Sequence, residues 1–267
     1  MLFKVNGVSL HYEVTGEGPA ILLIPGWTGS TQSWGELLPR LAHELAVVTL
    51  DPRGAGATHT RDPFTLEDVA EDIAALLRHV DLVPAAVLGH AWGGRVAQIV
   101  AARHPDLVRG LVLVASGGIF PFTEQGAQAM RRLRDASLSH DERFASVRDA
   151  FFGARTLAEN PQLIERWATR PGLAPTPPEG DGPSGTSLQS RAAQATDLQA
   201  YWGKAQCPTL LCYGTDDQIA TPVHAEDLAR RIDKSSLVWF EGAGHALPQE
   251  QPSELASYII AFVRSLP

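Results

Sequence analysis

Gly89-His90-Ala91-Trp92-Gly93 joins an apolar, strand-like run at residues 85–88 to a helical pattern at residues 95–103. A sharp strand-to-helix turn needs glycine two places either side of its apex, because a side chain there would strike neighbouring backbone. Such a turn lifts its apex side chain out of the fold, and a hydroxyl placed there is a candidate nucleophile. Here the apex is Ala91: the scaffold for a nucleophile is present and the hydroxyl is not. Two further segments carry groups of the matching chemistry. Tyr213-Gly214-Thr215-Asp216-Asp217 ends one apolar run, and Glu241-Gly242-Ala243-Gly244-His245 follows another. A serine hydroxyl is a poor nucleophile at neutral pH and needs a base such as histidine beside it. That histidine needs an acid to hold the right tautomer and stabilise the imidazolium. A nucleophile position, an acid and a histidine, in that chain order, are the ingredients of acyl transfer.

Each signal alone has a plainer reading. Gly89 and Gly93 could serve helix–strand packing, Gly242 and Gly244 could close a loop, and a lone histidine is more often a surface residue than a base. His90 fits a packing and hydrogen-bonding role. Two more segments weaken the case for coincidence: Ile24-Pro25-Gly26-Trp27 and Asp51-Pro52-Arg53-Gly54-Ala55-Gly56-Ala57-Thr58. Both again follow apolar runs, where α/β folds collect their functional loops. Asp51 and Arg53 are expected to hold their loop.

Short apolar runs at residues 20–24, 46–50, 85–88, 111–114, 209–213 and 237–240 alternate with helical patterns. Near-continuous apolar strands suit a parallel sheet covered on both faces. The repeated β-α order predicts an α/β, doubly wound and mostly parallel sheet. Asn6-Gly7 between residues 2–5 and 8–14 predicts a hairpin with a type I′ turn. Residues 65–80 form the clearest helix: Thr65 and Asp68 can make a capping box, and Leu66, Val69, Ile73, Leu76, Leu77 and Val80 share a face. A last helix is expected at about 253–263, after Pro252. Residues 120–196 carry helical patterns without a convincing strand, and include the Pro/Gly-rich stretch 171–183. An insertion there would be a helical cap or lid between core segments 1–119 and 197–267, with the Pro/Gly-rich stretch either an ordered part of it or a mobile linker.

The 267 residues are 44% hydrophobic and 19% charged, ordinary for one globular unit. A net charge of -8 argues against nucleic acid and anionic membranes as partners. No signal peptide or transmembrane pattern is legible, so the expected compartment is the cytoplasm. Cys207 and Cys212, the two cysteines, suggest neither a disulfide nor a metal site. No metal and no cofactor is expected, and the expected assembly is a monomer or homodimer.

In the order and placing of these motifs the chain resembles the α/β-hydrolase superfamily, from about residue 20 to the end. Within it the likeness is to small capped serine esterases, enol-lactonases and cofactor-free haloperoxidase-like enzymes. The resemblance implies that Ala91 stands at the nucleophile position, where an active form carries serine, with His245 as base. It implies Asp217 as the acid, three residues after the strand-end Gly214, with Asp216 the rival. The backbone N–H groups of Trp92 and Trp27 would form the oxyanion hole. Pro25-Gly26 departs from the family's frequent His-Gly, at little cost, since the donor is the next backbone group. Gly26, Trp27, Trp92, Phe120 and Phe122 would line the substrate site. Trp34, Trp167 and Trp202 would be core or lid, some lining the pocket.

Three readings of Ala91 follow. It replaces the serine of an ester or lactone hydrolase, leaving a form that binds substrate without turning it over. Or the chain is a natural cofactor-free His–Asp enzyme, an oxygenase, lyase or decarboxylase. Or it is a non-catalytic receptor. The lid and aromatic residues suggest a neutral or apolar ester or lactone, because no basic cluster sits in the motif loops.

Overall fold

A computed structural model describes residues 1–116, 122–135, 137–168 and 185–267. Among them, eight strands form one sheet: β1 (Leu2–Val5), β2 (Val8–Thr15), β3 (Ala20–Ile24), β4 (Ala46–Asp51), β5 (Ala85–His90), β6 (Val108–Val114), β7 (Thr209–Gly214) and β8 (Ser235–Phe240). Their order across the sheet is β1-β2-β4-β3-β5-β6-β7-β8. β1 and β2 are antiparallel neighbours at one edge, and β3 to β8 run parallel. The hairpin turn has φ of 44° at Asn6 and 83° at Gly7, as a type I′ turn requires.

Helices connect and cover the strands. They are α1 (Leu37–Ala42), α2 (Leu66–His79), α3 (Trp92–Arg103), α4 (Glu124–Leu133), α5 (His140–Phe151), α6 (Ala154–Glu159), α7 (Pro161–Ala168), α8 (Gly185–Ala195), α9 (Pro222–Arg231), α10 (Leu247–Glu250) and α11 (Pro252–Ser265). The α2 helix shows why the local sequence folds this way. The Thr65 hydroxyl accepts from the Asp68 N–H at 3.2 Å, and the Asp68 carboxylate accepts from the Thr65 N–H at 2.8 Å. Such a cap contributes about 1 kcal/mol. Leu66, Val69, Ile73, Leu76 and Leu77 are all buried on its inner face. Several elements extend past the apolar runs: α3 begins at Trp92, β6 at Val108 and β8 at Ser235. Their polar or glycine ends pair in the ladder or first turn without continuing the apolar pattern.

The main core lies on both faces of the sheet, and β4 is buried along its whole length. A second, smaller apolar cluster joins α4, α5 and α7 through Met130, Leu133, Val147, Phe152, Ile164 and Trp167. These helices belong to the chain between β6 and β7. The Pro/Gly-rich stretch lies outside the described residues. β3 pairs with β4 on one side and β5 on the other, so chain direction across the sheet reverses there. Crevices form at such a switch point, outside the carboxyl ends of the strands. Among the described residues, no helix is long and apolar enough to cross a membrane.

Candidate active site

Ala91 is the hinge between β5 and α3, with φ 50° and ψ -112°. A non-glycine residue held in that region costs on the order of 1–3 kcal/mol and persists only where its surroundings fix it. Here they do. The Ala91 N–H donates to the Val114 carbonyl on β6 at 3.0 Å. The Ala91 carbonyl accepts from the Gly94 N–H at 3.1 Å and the Ser116 hydroxyl at 3.3 Å. The flanking glycines are sterically required. A Cβ on Gly93 would collide with the carbonyl oxygens of Ile24 and Pro25, and one on Gly89 with the Gly93 backbone. The loop after β3 therefore lies directly against the elbow. A Cβ on Gly26 would come within 3.5 Å of the Ala91 methyl group.

Asp217 and His245, on the loops after β7 and β8, meet beside it. His245 Nδ1 lies 2.9 Å from Asp217 Oδ2. The other carboxylate oxygen, Oδ1, accepts from the Ile219 and Ala220 N–H groups at 2.7 and 2.8 Å. These bonds fix the carboxylate, and Asp217 is only 1% exposed. Asp216, the rival acid, turns the other way. Its carboxylate accepts from the Ala154 N–H at the start of α6, at 2.9 Å. Phe151 meets the His245 ring edge-on at 5.0 Å between centroids. His90 donates from Nε2 to the His245 carbonyl at 3.0 Å, the bonding role expected of it.

The supporting loops are tied by buried polar groups. Asp51 accepts from the Thr31 and Ala57 N–H groups at 2.7 and 2.8 Å. Arg53 pairs with Asp72 on α2. Both hold their loop, as expected. Sequence reasoning missed Gln189 of α8. Its side chain accepts from the Thr28 N–H at 2.8 Å and donates to the Arg53 carbonyl at 2.9 Å. It thus joins the loops after β3 and β4 under α8. Glu250 was missed too: it accepts from the Gly244 and Gly153 N–H groups, both at 2.8 Å, linking the His245 loop to the chain before α6. Burial pushes its carboxyl above the usual range, against those hydrogen bonds.

Ala91, His245, Gly26, Trp27, Trp92 and Phe122 line one cavity of about 140 Å³, roughly ten times the room one water needs. Trp34 and Trp167 also line it. Trp202 does not; its indole N–H donates to Asp227 at 2.9 Å. Phe120, expected in the site, lies outside the described residues. Trp92 is the first residue of α3, where backbone N–H groups have no partner within the helix. The motif loops bring no basic cluster to the site, but Arg95 and Arg134, from outside those loops, both line the cavity. They were missed because they come from α3 and from the end of α4, not from the motif loops. Among the described residues, no group of three His, Cys, Asp or Glu side chains could hold a metal ion. Cys207 and Cys212 are free thiols.

Comparison with known proteins identifies the fold family. A family model described as the alpha/beta hydrolase fold matches residues 19–252. A pimeloyl-[acyl-carrier protein] methyl ester esterase of Chromobacterium violaceum is 32% identical, with 90% of this chain and 92% of that protein covered. A human serine hydrolase is 30% identical, with 87% of this chain and 75% of that protein covered. Among solved structures, the enol-lactonase of Burkholderia xenovorans superposes with a TM-score of 0.83, covering 99% and 100% of the two chains. At 22% identity, that likeness speaks for the fold alone.

Proposed function

From the premise that this chain belongs to the alpha/beta hydrolase fold family, we propose that it is a carboxylic ester or lactone hydrolase whose nucleophile position holds Ala91. Relatives that are esterases and hydrolases support the hydrolase class. The observation that carries the finer reading is the buried His245–Asp217 hydrogen bond, beside a strained elbow that opens on the same cavity. A strained apex and an oriented imidazole are unneeded for a simple binding pocket.

In the form with serine at position 91, the serine hydroxyl attacks the substrate carbonyl while His245 Nε2 takes its proton. Asp217 keeps the proton on Nδ1 and stabilises the imidazolium. The negative charge developing on the carbonyl oxygen faces the N–H groups of Trp92 and Trp27. Gly26 allows that loop to approach, and its lack of a side chain leaves room for the substrate. His245 then protonates the leaving alkoxide, and water, activated by the same histidine, releases the acid. The chemistry calls for no cofactor. Helices α4 to α8, within residues 120–196, act as the cap, and the walls of Trp27, Trp92 and Phe122 hold the acyl part. With Ala91 the hydroxyl is missing and the rest of the site is kept, so substrate binds uncleaved.

One observation favours a second reading, and it is Ala91 itself. A natural His–Asp base could abstract a proton without any acyl-enzyme, as oxygenases, lyases and decarboxylases do on this fold. Ala91→Ser separates the two. It is expected to create hydrolysis of p-nitrophenyl butyrate with a burst of product at high enzyme concentration, against a background lower by on the order of a million-fold with Ala91. A folded serine form inert towards a broad panel of esters and lactones would sink the hydrolase reading.

A further inference from the structure

We infer that the cavity takes a substrate bearing a second, anionic group, a carboxylate or phosphate, bound by Arg95 and Arg134 away from the scissile carbonyl. This deepens the hydrolase reading, and rests on it only for where that carbonyl sits.

Arg95 stands in the first turn of α3, four residues beyond Ala91, and both line the cavity. Arg134 follows α4 at the cavity rim, its guanidinium carbon 5.4 Å from the centre of the Trp27 ring. Among the described residues, Arg53, Arg103 and Arg231 each pair with a carboxylate. The guanidinium groups of Arg95 and Arg134 have no hydrogen bond or ion pair among those residues. No Asp or Glu among the described residues lines the cavity. Asp217 lies behind His245, with its oxygens already committed.

Two cations thus line one space that offers them no counter-charge among the described residues, in a protein of net charge -8. Burial, together with repulsion from Arg134, pushes the Arg95 pKa below the usual arginine range; Arg134, whose side chain is exposed at the rim, is partly desolvated and shifts the same way. A third donor is unsatisfied. Trp34 is 1% exposed in the cavity wall, and its indole N–H has no partner among the described residues. Buried polar groups are ordinarily bonded, so a donor unbonded among the described residues, in the same cavity that two cations without an ion pair there also line, fits an acceptor carried by the substrate. Carboxylate and phosphate match the guanidinium fork, which binds both through paired N–H···O bonds. The aromatic walls suit an apolar chain between that anion and the reacting carbonyl.

Calorimetric titration of the Ala91 protein tests this without any turnover. The probes are monomethyl adipate, dimethyl adipate and methyl 6-phosphonooxyhexanoate. At least one anionic ester is expected to bind roughly tenfold to a hundredfold more tightly than the dimethyl ester. Which one does so identifies the anion. Arg95→Gln should abolish most of that preference, Arg134→Gln part of it, and Arg95→Lys should keep more than Arg95→Gln. Unchanged affinity for dimethyl adipate in the variants shows the pocket intact. Equal binding of all three probes, or a preference that survives the double Arg95→Gln/Arg134→Gln change, overturns the inference. So does a failure of all three to bind. The two readings fail separately. An inert Ala91→Ser form that still prefers the anionic ester removes the hydrolase and leaves the anion site. A serine form that cleaves neutral and anionic esters equally does the reverse.

Discussion

Asp216 and Asp217 are neighbours in sequence with opposite surroundings. Asp217 is buried, accepts two backbone N–H groups and reaches His245, whereas Asp216 binds the start of α6. In the serine form, Asp217→Asn should therefore lower kcat by on the order of ten-thousand-fold, because an amide favours the wrong imidazole tautomer. Asp216→Asn should lower it far less. Steady-state rates of the two variants check this, and equal losses would show the acid to be wrongly assigned. The same contrast explains why two adjacent carboxylates were hard to rank in sequence. Both follow the strand-end glycine, and only the turn at Ile219 and Ala220 selects one.

At the scale of elements, the proposed oxyanion loop is held by α8. Gln189 is fully buried and spans from the Thr28 N–H to the Arg53 carbonyl. Gln189→Ala leaves both groups unpaired, at a cost of about 1–3 kcal/mol each when buried. The expected result is a lower Tm by calorimetry. In the serine form, kcat should also fall more than KM rises, because the loop carrying the Trp27 N–H loosens. A lower Tm with unchanged kcat would reduce Gln189 to a structural tie. Gln189 also marks where sequence reading ends. Strands β3 to β7 were legible because each is a near-continuous apolar run, and the elbow because steric need for glycine shows at Gly89 and Gly93. Ala91 and Asp217 sit just beyond β5 and β7, and His245 just beyond the apolar end of β8, so their places followed from the strands' places. Gln189, Glu250, Arg95 and Arg134 act across segments distant in sequence and share no local period, so only tertiary packing reveals them. The ends of β6 and β8 were illegible for a simpler reason: Arg109, Gly110, Ser235 and Ser236 pair in the sheet without being apolar.

Across the whole molecule, one polar chain runs from the exposed edge hairpin into the buried side of α8. Asn6 in the β1–β2 turn donates to Asp72 at 2.9 Å, Asp72 pairs with Arg53, and the Arg53 carbonyl accepts from Gln189. Burial pushes the Asp72 carboxyl up, while its bond to Arg53 pulls it down. Asp72→Ala would leave a buried guanidinium uncompensated, a loss of about 3–5 kcal/mol. For a chain of this size that is a fall in Tm of about 10 °C. The paired change Arg53→Met/Asp72→Leu should recover most of it. A double variant no more stable than the single one would show that shape, not charge, holds this junction.

The proposed chemistry converges on one atom, the side-chain oxygen that residue 91 carries in the serine form. Diethyl p-nitrophenyl phosphate reacts with an activated serine to leave a stable phosphoryl adduct, which peptide mapping by mass spectrometry can place. The Ala91→Ser protein is predicted to take up one diethylphosphoryl group, on residue 91, with loss of all esterase activity; the Ala91 protein should take up none. A serine form that stays unlabelled, or that is labelled equally well with Asp217→Asn in place, would contradict acyl transfer at this site.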